Sequence, residues 1–342
     1  MNWSEKSILV TGGASFISSH LIDLLVAKGA TGKGQIRVVD DLTSGKLANI
    51  QGHIDSGVVE FVKADLLQPG VPQAAVASRN VVFHLAAIHG GRGYVDLHQA
   101  PCSQNLAMDG MLVKAAYEAG VEKFVFASSG CVYPNFLQTD VSKELYLTEE
   151  MVGPPYDADN LYGWAKLMTE MTLRAYYKDF GFKSASCRFF TVYGERGVEN
   201  HAVIAMIARA FVKQNPFEVW GDGTQIRNWT YVGDIVSGMV AAAETIEDGT
   251  AINLGTEERT QVIDAVHEVL RYTGQEAEIK LLTHMPTGPL NRVASNKLAK
   301  QLLNWEPKMK FIDGLHRTID WYFETHKREA VSGYLTEMLT ER

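Results

Sequence analysis

The sequence has few cysteines, no long apolar run and no cluster of basic residues. Its three cysteines, Cys102, Cys131 and Cys187, lie too far apart for a paired metal motif or a disulfide framework. No stretch approaches the roughly 20 apolar residues of a membrane helix, and the polar segment from Met1 to Lys6 leaves no room for a signal peptide. These absences predict a cytoplasmic protein without a membrane partner.

The charge balance is acidic, with 40 Asp and Glu against 32 Lys and Arg and a formal net charge of −8. Such a chain is not built to coat nucleic acid, so any anionic ligand must be held by a local basic site. The 342 residues are 46% hydrophobic and 21% charged, which is ordinary for one large or two fused globular domains.

Short apolar runs alternate with helical patterns along the first half of the chain. We predict strands at 7–10, 35–39, 58–62, 80–85, 124–127 and 184–190, and helices at 16–27, about 101–119 and 160–180. This alternation predicts an α/β fold of the Rossmann type, a doubly wound parallel sheet with ligands at the carboxyl ends of its strands. We assign residues 1–190 to the dinucleotide-binding domain, with later segments near 229–256 returning to it, and 191–342 to a smaller, discontinuous substrate lobe.

The turn from Thr11 to Ser18 lies between a predicted strand and helix, where a dinucleotide pyrophosphate meets a helix N-terminus. A GxxGxxG pattern beginning at Gly12 requires glycines at positions 15 and 18, but the sequence has Ser15 and Ser18. Those glycines normally let the backbone approach the pyrophosphate and let helix and strand pack closely. We therefore expect weaker or repositioned cofactor binding.

Asp40 closes the second predicted strand, 28 residues after Gly12. An acidic side chain there accepts hydrogen bonds from the adenosine ribose of a dinucleotide. The 2′-phosphate of NADP would meet both Asp40 and Asp41, so the sequence favours NAD. The alternative is that the two aspartates simply begin a polar loop.

Tyr162 and Lys166 form the only YxxxK motif in the chain and lie one turn apart on a predicted helix. The motif indicates a site more strongly because the strand at 124–127 ends in Ser128 and Ser129, whose hydroxyls are expected beside such a helix. The lysine ammonium and a cationic nicotinamide both favour the tyrosine phenolate, so Tyr162 can remove a sugar hydroxyl proton while Ser129 holds the oxygen. The alternative is an ordinary i, i+4 pair on a surface helix.

Further short segments occur in a fixed order through nearly the whole chain. They are Thr-Gly-Gly-Ala at 11–14, Ala-Asp-Leu at 64–66, His-Leu-Ala-Ala at 84–87, Asn105, the segments 128–129 and 162–166, Arg-Phe-Phe-Thr-Val-Tyr-Gly at 188–194, and the segments 220–227 and 304–307. In these segments the chain resembles the extended short-chain dehydrogenases/reductases (extended SDR) of the nucleotide-sugar epimerase and dehydratase group.

The resemblance implies NAD as cofactor, a nucleoside-diphosphate sugar as substrate, no metal, and a homodimer formed by the helices near 101–119 and 160–180. Its implied catalytic residues are Ser129, Tyr162 and Lys166, and Arg227 and Arg292 match the arginines that hold the substrate diphosphate. The cofactor residues are Gly12, Ser15, Phe16, Ile17, Asp40, Asp65, Leu66, Leu85, Ala86, Ala87, Tyr162 and Lys166. The substrate residues, in addition to the two arginines, are His89, Gly90, Arg92, Ser129, Thr191 and Asn200.

The residues after Ser129 narrow the reaction that the resemblance implies. Gly130 and Cys131 replace the acidic residues of the group's 4,6-dehydratases and decarboxylases, so epimerisation remains. Inversion at C4 of an NDP-hexose or hexuronate is favoured, because the segment 188–194, with Thr191, resembles UDP-glucuronate 4-epimerases.

Two alternatives stay open. Segments 86–93 and 128–134 are similar to GDP-mannose 3,5-epimerase, in which the residue matching Cys131 is an acid/base; a second acid/base aligns with Ala202, one residue from His201. Cys131 can equally be a packing residue. The third interpretation, a non-catalytic dinucleotide-binding protein, is motivated by Ser15 and Ser18.

Overall fold

The computed structural model of the protein describes residues 1–338. Its strands are β1 (Ile8–Thr11), β2 (Ile36–Asp40), β3 (Val59–Lys63), β4 (Val81–His84), β5 (Lys123–Ser129), β6 (Ser184–Phe189), β7 (Val192–Tyr193), β8 (Phe217–Trp220), β9 (Ile226–Arg227), β10 (Thr230–Tyr231), β11 (Asp248–Leu254), β12 (Thr260–Gln261), β13 (Ile279–Leu282) and β14 (Asn291–Arg292). Its α-helices are α1 (Phe16–Ala27), α2 (Gln51–Asp55), α3 (Val71–Val76), α4 (Arg92–Leu97), α5 (Gln99–Ser103), α6 (Asn105–Glu118), α7 (Asn160–Phe180), α8 (Ala202–Phe211), α9 (Val232–Thr245), α10 (Val262–Thr273), α11 (Lys297–Leu303), α12 (Phe311–Thr325) and α13 (Arg328–Met338).

The central sheet has seven parallel strands in the order β3, β2, β1, β4, β5, β6 and β11. This arrangement confirms the predicted doubly wound fold. The strand order reverses between β1 and β4, and in such sheets the crevice outside the strand ends at that point receives the ligand.

Alternate residues of the inner strands pack on opposite faces of the sheet. In β1, Ile8 and Val10 belong to one buried apolar cluster and Leu9 to another. In β4, Phe83 joins the first cluster and Val82 the second. Because both faces are covered, these strands appear in the sequence as continuous apolar runs and not as alternating ones.

The helix predicted over residues 101–119 is two helices, α5 and α6, separated at Gln104. The Asn105 side chain donates Nδ2 to the carbonyl oxygen atoms of Cys102 and Ile88, each at 2.9 Å, and accepts from the Ile88 amide at 2.7 Å. The Asn105 side chain thus hydrogen-bonds to a carbonyl at the end of α5 and links the start of α6 to the loop after β4. One continuous helix therefore does not form.

The later part of the chain adds small sheets and helices beside the carboxyl ends of the main strands. Strand β8 pairs with β13, and β9 pairs with β12 and β14. Helices α10, α12 and α13 pack against α8. The proposed division into two lobes stays a prediction. Within residues 1–338, no helix combines the length and apolar character required to cross a membrane, and the cytoplasmic location also stays a prediction.

Candidate active site

One cavity of about 630 Å³ lies at the carboxyl edge of the sheet and brings all the predicted site residues together. Residues predicted for the cofactor line it: Gly12, Ser15, Phe16, Ile17, Asp40, Asp65, Leu66, Leu85, Ala86 and Ala87. So do those predicted for catalysis and substrate: His89, Gly90, Arg92, Ser129, Cys131, Tyr162, Lys166, Thr191, Asn200, Arg227 and Arg292. Their roles stay predictions, but their positions are compatible with one shared site.

The first turn has the geometry of a pyrophosphate site. Gly12 has φ +64°, and an added Cβ would lie 2.9 Å from Ala86 Cα, so only glycine fits there. Helix α1 begins at Phe16, and the Ser15 hydroxyl makes no capping hydrogen bond. The first amides of α1 therefore face the cavity without helical partners, as an anion site requires.

Asp40 links the first turn to the loop that follows β2. Its carboxylate accepts from the amides of Ala14 at 3.0 Å and Leu42 at 2.8 Å. Gly45 approaches so closely that an added Cβ would lie 2.8 Å from both carboxylate oxygens. Asp40 thus orders the polar loop and also lines the cavity, where a carboxylate can accept from ribose hydroxyls. Together with the amides of α1, this donor and acceptor set fits NAD.

Ser129, Tyr162 and Lys166 meet at the centre of the cavity. Burial raises the pKa of Tyr162 strongly, Cys131 and Asp109 raise it further, and a hydrogen bond with Ser129 opposes the shift. The Lys166 ammonium lies 5.7 Å from the centre of the Tyr162 ring. Burial lowers the pKa of Lys166, whereas Asp109 raises it. Burial therefore keeps the Tyr162 phenol neutral near pH 7, and positive charge beyond that of Lys166 is needed to favour the phenolate.

Helix α7, which carries Tyr162 and Lys166, packs closely on the turn that follows β5. An added Cβ on Gly163 would lie 2.3 Å from the carbonyl oxygen of Cys131. The Asp159 amide donates to the same oxygen at 2.8 Å. The glycine between Tyr162 and Lys166 is therefore needed for Ser129 and Tyr162 to come into hydrogen-bonding distance.

A buried chain of hydrogen bonds joins the first turn to α7 beneath Lys166. Thr11 Oγ1 accepts from the amides of Leu85 and Ala86 at 3.1 Å, so its proton is directed to His84 Nδ1 at 2.7 Å. The remaining imidazole proton, on Nε2, then donates to Asp109 at 2.9 Å, and Thr169 of α7 donates to the same carboxylate at 3.0 Å. Asp109 also favours the ammonium form of Lys166.

On its other side, α7 is held by a buried ion pair. Arg188 of β6 donates Nε and Nη2 to the Glu170 carboxylate at 3.0 and 2.8 Å, and Ser128 donates to it at 2.5 Å. Arg188 also donates to the Tyr133 hydroxyl at 3.2 Å. Since Thr169 and Glu170 are neighbours, two polar networks fix the same turn of the catalytic helix.

Arg92, Arg227 and Arg292 line the cavity and form a three-arginine cluster. The carboxylate of Asp159, three residues before Tyr162, accepts from Arg92 at 2.8 Å and from Arg292 at 3.1 Å. Arg292 also donates to Cys131 Sγ at 3.3 Å and to Gln138 at 2.7 Å. The three elements α4, α7 and β14 are thus joined through one carboxylate.

Arg227 gives this cluster a surplus of positive charge. Its guanidinium donates to the carbonyl oxygens of Ile226 and Thr287, each at 2.8 Å. Burial, followed by repulsion from Arg292 and Arg92, lowers the pKa of Arg227 to about 9. A guanidinium stabilised so poorly by its surroundings favours the arrival of an anion such as a diphosphate.

His89, His201 and Asn200 line the same cavity as Tyr162. The His89 ring lies 5.0 Å from the Tyr162 ring and stacks on His201 at 5.5 Å between ring centres. Burial lowers the pKa of His201 to about 4, so it is neutral at pH 7. The side-chain oxygen of Asn200 is buried without a hydrogen-bond partner among residues 1–338, so it is available to accept from a ligand hydroxyl.

The loop after β4 is fitted tightly against the loop before α8. An added Cβ on Gly91 would lie 1.6 Å from the Asn200 carbonyl oxygen, and one on Gly90 would lie 2.6 Å from Tyr94 Cβ. These glycines bring His89 and His201 into contact although the two residues are more than a hundred positions apart.

Sequence reasoning missed Asp159 and Asp109. An aspartate immediately before a helix is an ordinary N-cap signal, but the Asp159 side chain makes no capping hydrogen bond. Asp109 lies within helix α6 and has no distinguishing neighbour in the sequence. The one available signal was His84, a polar residue that ends a wholly buried apolar strand, which requires a partner inside the fold.

Comparisons with known proteins agree with this geometry. A model of the NAD dependent epimerase/dehydratase family matches residues 8–255. The chain is 30% identical over 336 residues to GDP-mannose 3,5-epimerase 1 of Oryza sativa subsp. indica, covering 96% of this chain and 85% of the relative. It is 32% identical over 329 residues to YtcB of Bacillus subtilis strain 168, named an uncharacterized UDP-glucose epimerase; the match covers 94% of this chain and 99% of the relative.

Solved structures give the same similarity. UDP-glucuronic acid 4-epimerase from Bacillus cereus, in complex with UDP-glucuronic acid and NAD, has a TM-score of 0.82 at 29% identity, covering 93% of this chain and 99% of that one. UDP-glucose 4-epimerase from Thermus thermophilus, in complex with NAD, has a TM-score of 0.79 at 27% identity, covering 94% and 99%.

Proposed function

The chain belongs to the NAD-dependent epimerase/dehydratase family, and from this premise we propose that it inverts a nucleoside-diphosphate sugar at C4 through a transient 4-ketone. The observation that carries the proposal is the meeting of Ser129, Tyr162 and Lys166 between the dinucleotide turn and the three-arginine cluster. The substrate class, an NDP-hexose or hexuronate, is the one expected from the sequence.

The residues of this chain divide the work as follows. Bound NAD supplies the acceptor and donor of a hydride. Tyr162 takes the proton of the C4 hydroxyl as that carbon is oxidised, and returns it when the ketone is reduced from its other face. Ser129 donates to the C4 oxygen, and Lys166 keeps a positive charge near the phenolate.

The arginine cluster supports binding of the substrate diphosphate. Arg227 and Arg292 present guanidinium groups suited to phosphate oxygens. Asp159 holds Arg292 and Arg92 in place. Asn200 lines the same cavity and offers a side-chain oxygen without a partner among residues 1–338, which fits a hydroxyl of the sugar.

The deciding experiment incubates the protein with a panel of UDP-, GDP-, ADP- and dTDP-sugars in D₂O without added reductant and follows products by NMR. We expect inversion at C4 with no deuterium incorporated, because the hydride is returned to the same carbon. The matched control is Tyr162→Phe, which should give no product. Failure of every sugar to react, with NAD tightly bound, would support the non-catalytic alternative.

A second candidate is epimerisation at C3 or C5. The observation in its favour is that Cys131 and His201, two groups able to exchange protons, line the cavity together with Tyr162. A 4-ketone acidifies the neighbouring C–H bonds, so such groups could remove those protons. Deuterium at C3 or C5 in the same experiment would make this the reaction.

The predicted homodimer is part of the proposal. Leu161, Trp164 and Met168 of α7 lie at i, i+3 and i+7 and are 38% to 43% exposed, and Leu106 of α6 is also exposed. A stripe of apolar side chains at helical spacing suits packing against a second copy of the same helices. Light scattering should give twice the chain mass, and Trp164→Glu should give one chain mass.

A further inference from the structure

Glu199 is a buried carboxylate in the loop at 194–201, between β7 and α8, and it is 3% exposed. Its Oε1 accepts from the Tyr322 hydroxyl of α12 at 2.7 Å and from the Tyr334 hydroxyl of α13 at 3.0 Å. His326, between these two helices, has Nε2 4.0 Å from the same oxygen. One carboxylate oxygen thus joins the loop to both helices.

The two residues after Glu199 line the cavity, whereas Glu199 is not among the lining residues. The carbonyl oxygen of Asn200 lies so close to Gly91 that an added Cβ there would be 1.6 Å away. The side-chain oxygen of Asn200 is buried without a partner among residues 1–338, and the His201 ring stacks on His89. A displacement of Glu199 therefore displaces groups that line the cavity.

Helices α12 and α13 are anchored in the larger apolar cluster, to which Leu315 and Val331 belong. No described residue of either helix lines the cavity, so their influence on it must pass through other segments. Arg317 of α12 pairs with Glu195 at the start of the loop. The Arg317 side chain is 61% exposed, and exposed ion pairs contribute little. The buried bonds of Glu199 are therefore the stronger of these two polar links.

We propose that Glu199 is a positioning residue for the substrate sugar. Its bonds to the two tyrosines hold the loop so that the Asn200 side-chain oxygen can accept from a sugar hydroxyl. Hydroxyl donors to a carboxylate are strong, and a buried carboxylate that loses them is costly. The loop is therefore held at the one place where Glu199 reaches both hydroxyls. The inference rests on the proposed function, since it assigns Asn200 to the sugar.

The first test is isothermal titration calorimetry on the protein with bound NAD. The ligands are UDP-glucuronic acid and GDP-mannose, each compared with its bare nucleotide, UDP or GDP. The double variant Tyr322→Phe with Tyr334→Phe removes both donors and keeps both rings. We expect the tighter-binding sugar nucleotide to lose about tenfold in affinity, while its bare nucleotide changes less than about twofold. No loss, or an equal loss for both ligands, would overturn the inference.

Two further variants separate the bonds of Glu199 from general stability. Glu199→Gln keeps an acceptor oxygen for the two hydroxyls, so its sugar-nucleotide affinity should stay within about threefold. Tyr272→Phe is the matched control, because this hydroxyl donates to Asp320 of α12 at 3.0 Å and does not contact the loop; it should change no affinity. A loss in either variant equal to that of the double variant would overturn the inference.

The second test follows the loop without any substrate. Amide hydrogen exchange, measured by mass spectrometry on the protein with bound NAD, reports local opening. Peptides covering residues 195–203 should exchange about tenfold faster in the double variant and at an unchanged rate in Tyr272→Phe. Unchanged exchange in the double variant would show that the two hydroxyls do not hold the loop, and would overturn the inference.

The two proposals fail in distinguishable ways. If sugars are epimerised but the double variant binds them normally, the role of Glu199 is wrong and the proposed function stands. If sugar nucleotides bind and selectively lose affinity but none is epimerised, the proposed reaction is wrong and the inference stands. If no sugar nucleotide binds, both are wrong. If the double variant does not fold, Tyr334→Phe alone, at a half-buried position, decides the inference by the same measurements.

Discussion

The two ends of the cavity are built from different kinds of group. At the end of the cavity proposed to hold the cofactor, called here the cofactor end, the polar groups are backbone amides at the start of α1 and one carboxylate, Asp40, which closes a neighbouring strand. At the substrate end they are side chains from distant segments, Arg92, Arg227 and Arg292, with Asp159 between two of them. Main-chain groups placed by a turn are a local property of the sequence, whereas a charge cluster depends on how distant segments meet.

The proposed catalytic residues, Ser129, Tyr162 and Lys166, lie where the two ends join. Helix α7 is fixed to the cofactor end through Thr169 and Asp109, and to the substrate side of the sheet through Glu170 and Arg188. Tyr162 therefore has a position set from both directions. Four substitutions test this division of the cavity.

The largest effect on activity is expected for substitution of Tyr162, which lies between the cofactor end and the substrate end. Tyr162→Phe should lower kcat about 1000-fold, because general-base catalysis contributes between about 100-fold and 10,000-fold. Nucleotide binding at both ends should remain, as measured by calorimetry. Tyr177→Phe on the same helix, 39% exposed, should stay within about twofold. If the Tyr162→Phe protein keeps a tenth of the activity, another group and not Tyr162 takes the proton of the C4 hydroxyl.

At the substrate end, Asp159→Asn should lower the free energy of unfolding by about 3 kcal/mol, since it leaves Arg292 and Arg92 without their shared charge. The measurement is urea denaturation at pH 7. The matched control at the cofactor end is Asp41→Asn, an exposed aspartate, which should change stability by less than about 0.5 kcal/mol. Equal stability of the two variants would mean that the cluster does not depend on Asp159.

The same variant has a predicted pH dependence. Burial opposes ionisation of Asp159, but Arg292 and Arg92 outweigh it and hold its pKa below the ordinary value. The group therefore stabilises the fold fully above the unfolded pKa near 4, and loses that contribution as the pH falls through the lower folded value. The stability difference between Asp159→Asn and the unaltered protein should shrink over that acidic range.

At the cofactor end, Ser15→Ala should raise the dissociation constant of NAD about tenfold, the loss of one hydrogen bond to a charged group. Thermal stability should not change, because the Ser15 hydroxyl makes no capping bond. Ser56→Ala, on the surface and away from the cavity, is the control. Unchanged NAD affinity would show that the Ser15 hydroxyl makes no hydrogen bond to the cofactor.

The smallest effect is expected for Cys131→Ala. If the reaction is C4 inversion, kcat should change by less than about threefold, because no step requires the thiol as acid or base. Turnover by NMR measures this. A loss of about 100-fold would move the reaction to C3 or C5 and give Cys131 a catalytic role. Cys187→Ala, a buried cysteine away from the cavity lining, controls for packing.

Much of the cofactor end could be predicted from the sequence because each of its parts is local. Gly12, Ser15 and Asp40 follow strands, and parallel strands bring their carboxyl ends to one edge. The break between α5 and α6 could not be predicted, since it depends on Asn105 reaching the loop after β4. The pairing of Asp159 with two arginines was also missed, because an aspartate before a helix predicts a cap.

The sequence by itself determined the strand and helix alternation, the first turn and the Ser129, Tyr162 and Lys166 set, because periodicity and short spacings fix these features within a few residues. The tertiary structure alone decided which charges meet. Arg92, Asp159 and Arg292 are neighbours only after folding, and His89 and His201 stack only because Gly91 lets two loops touch. Charge pairing depends on distances in space that the order of residues does not specify.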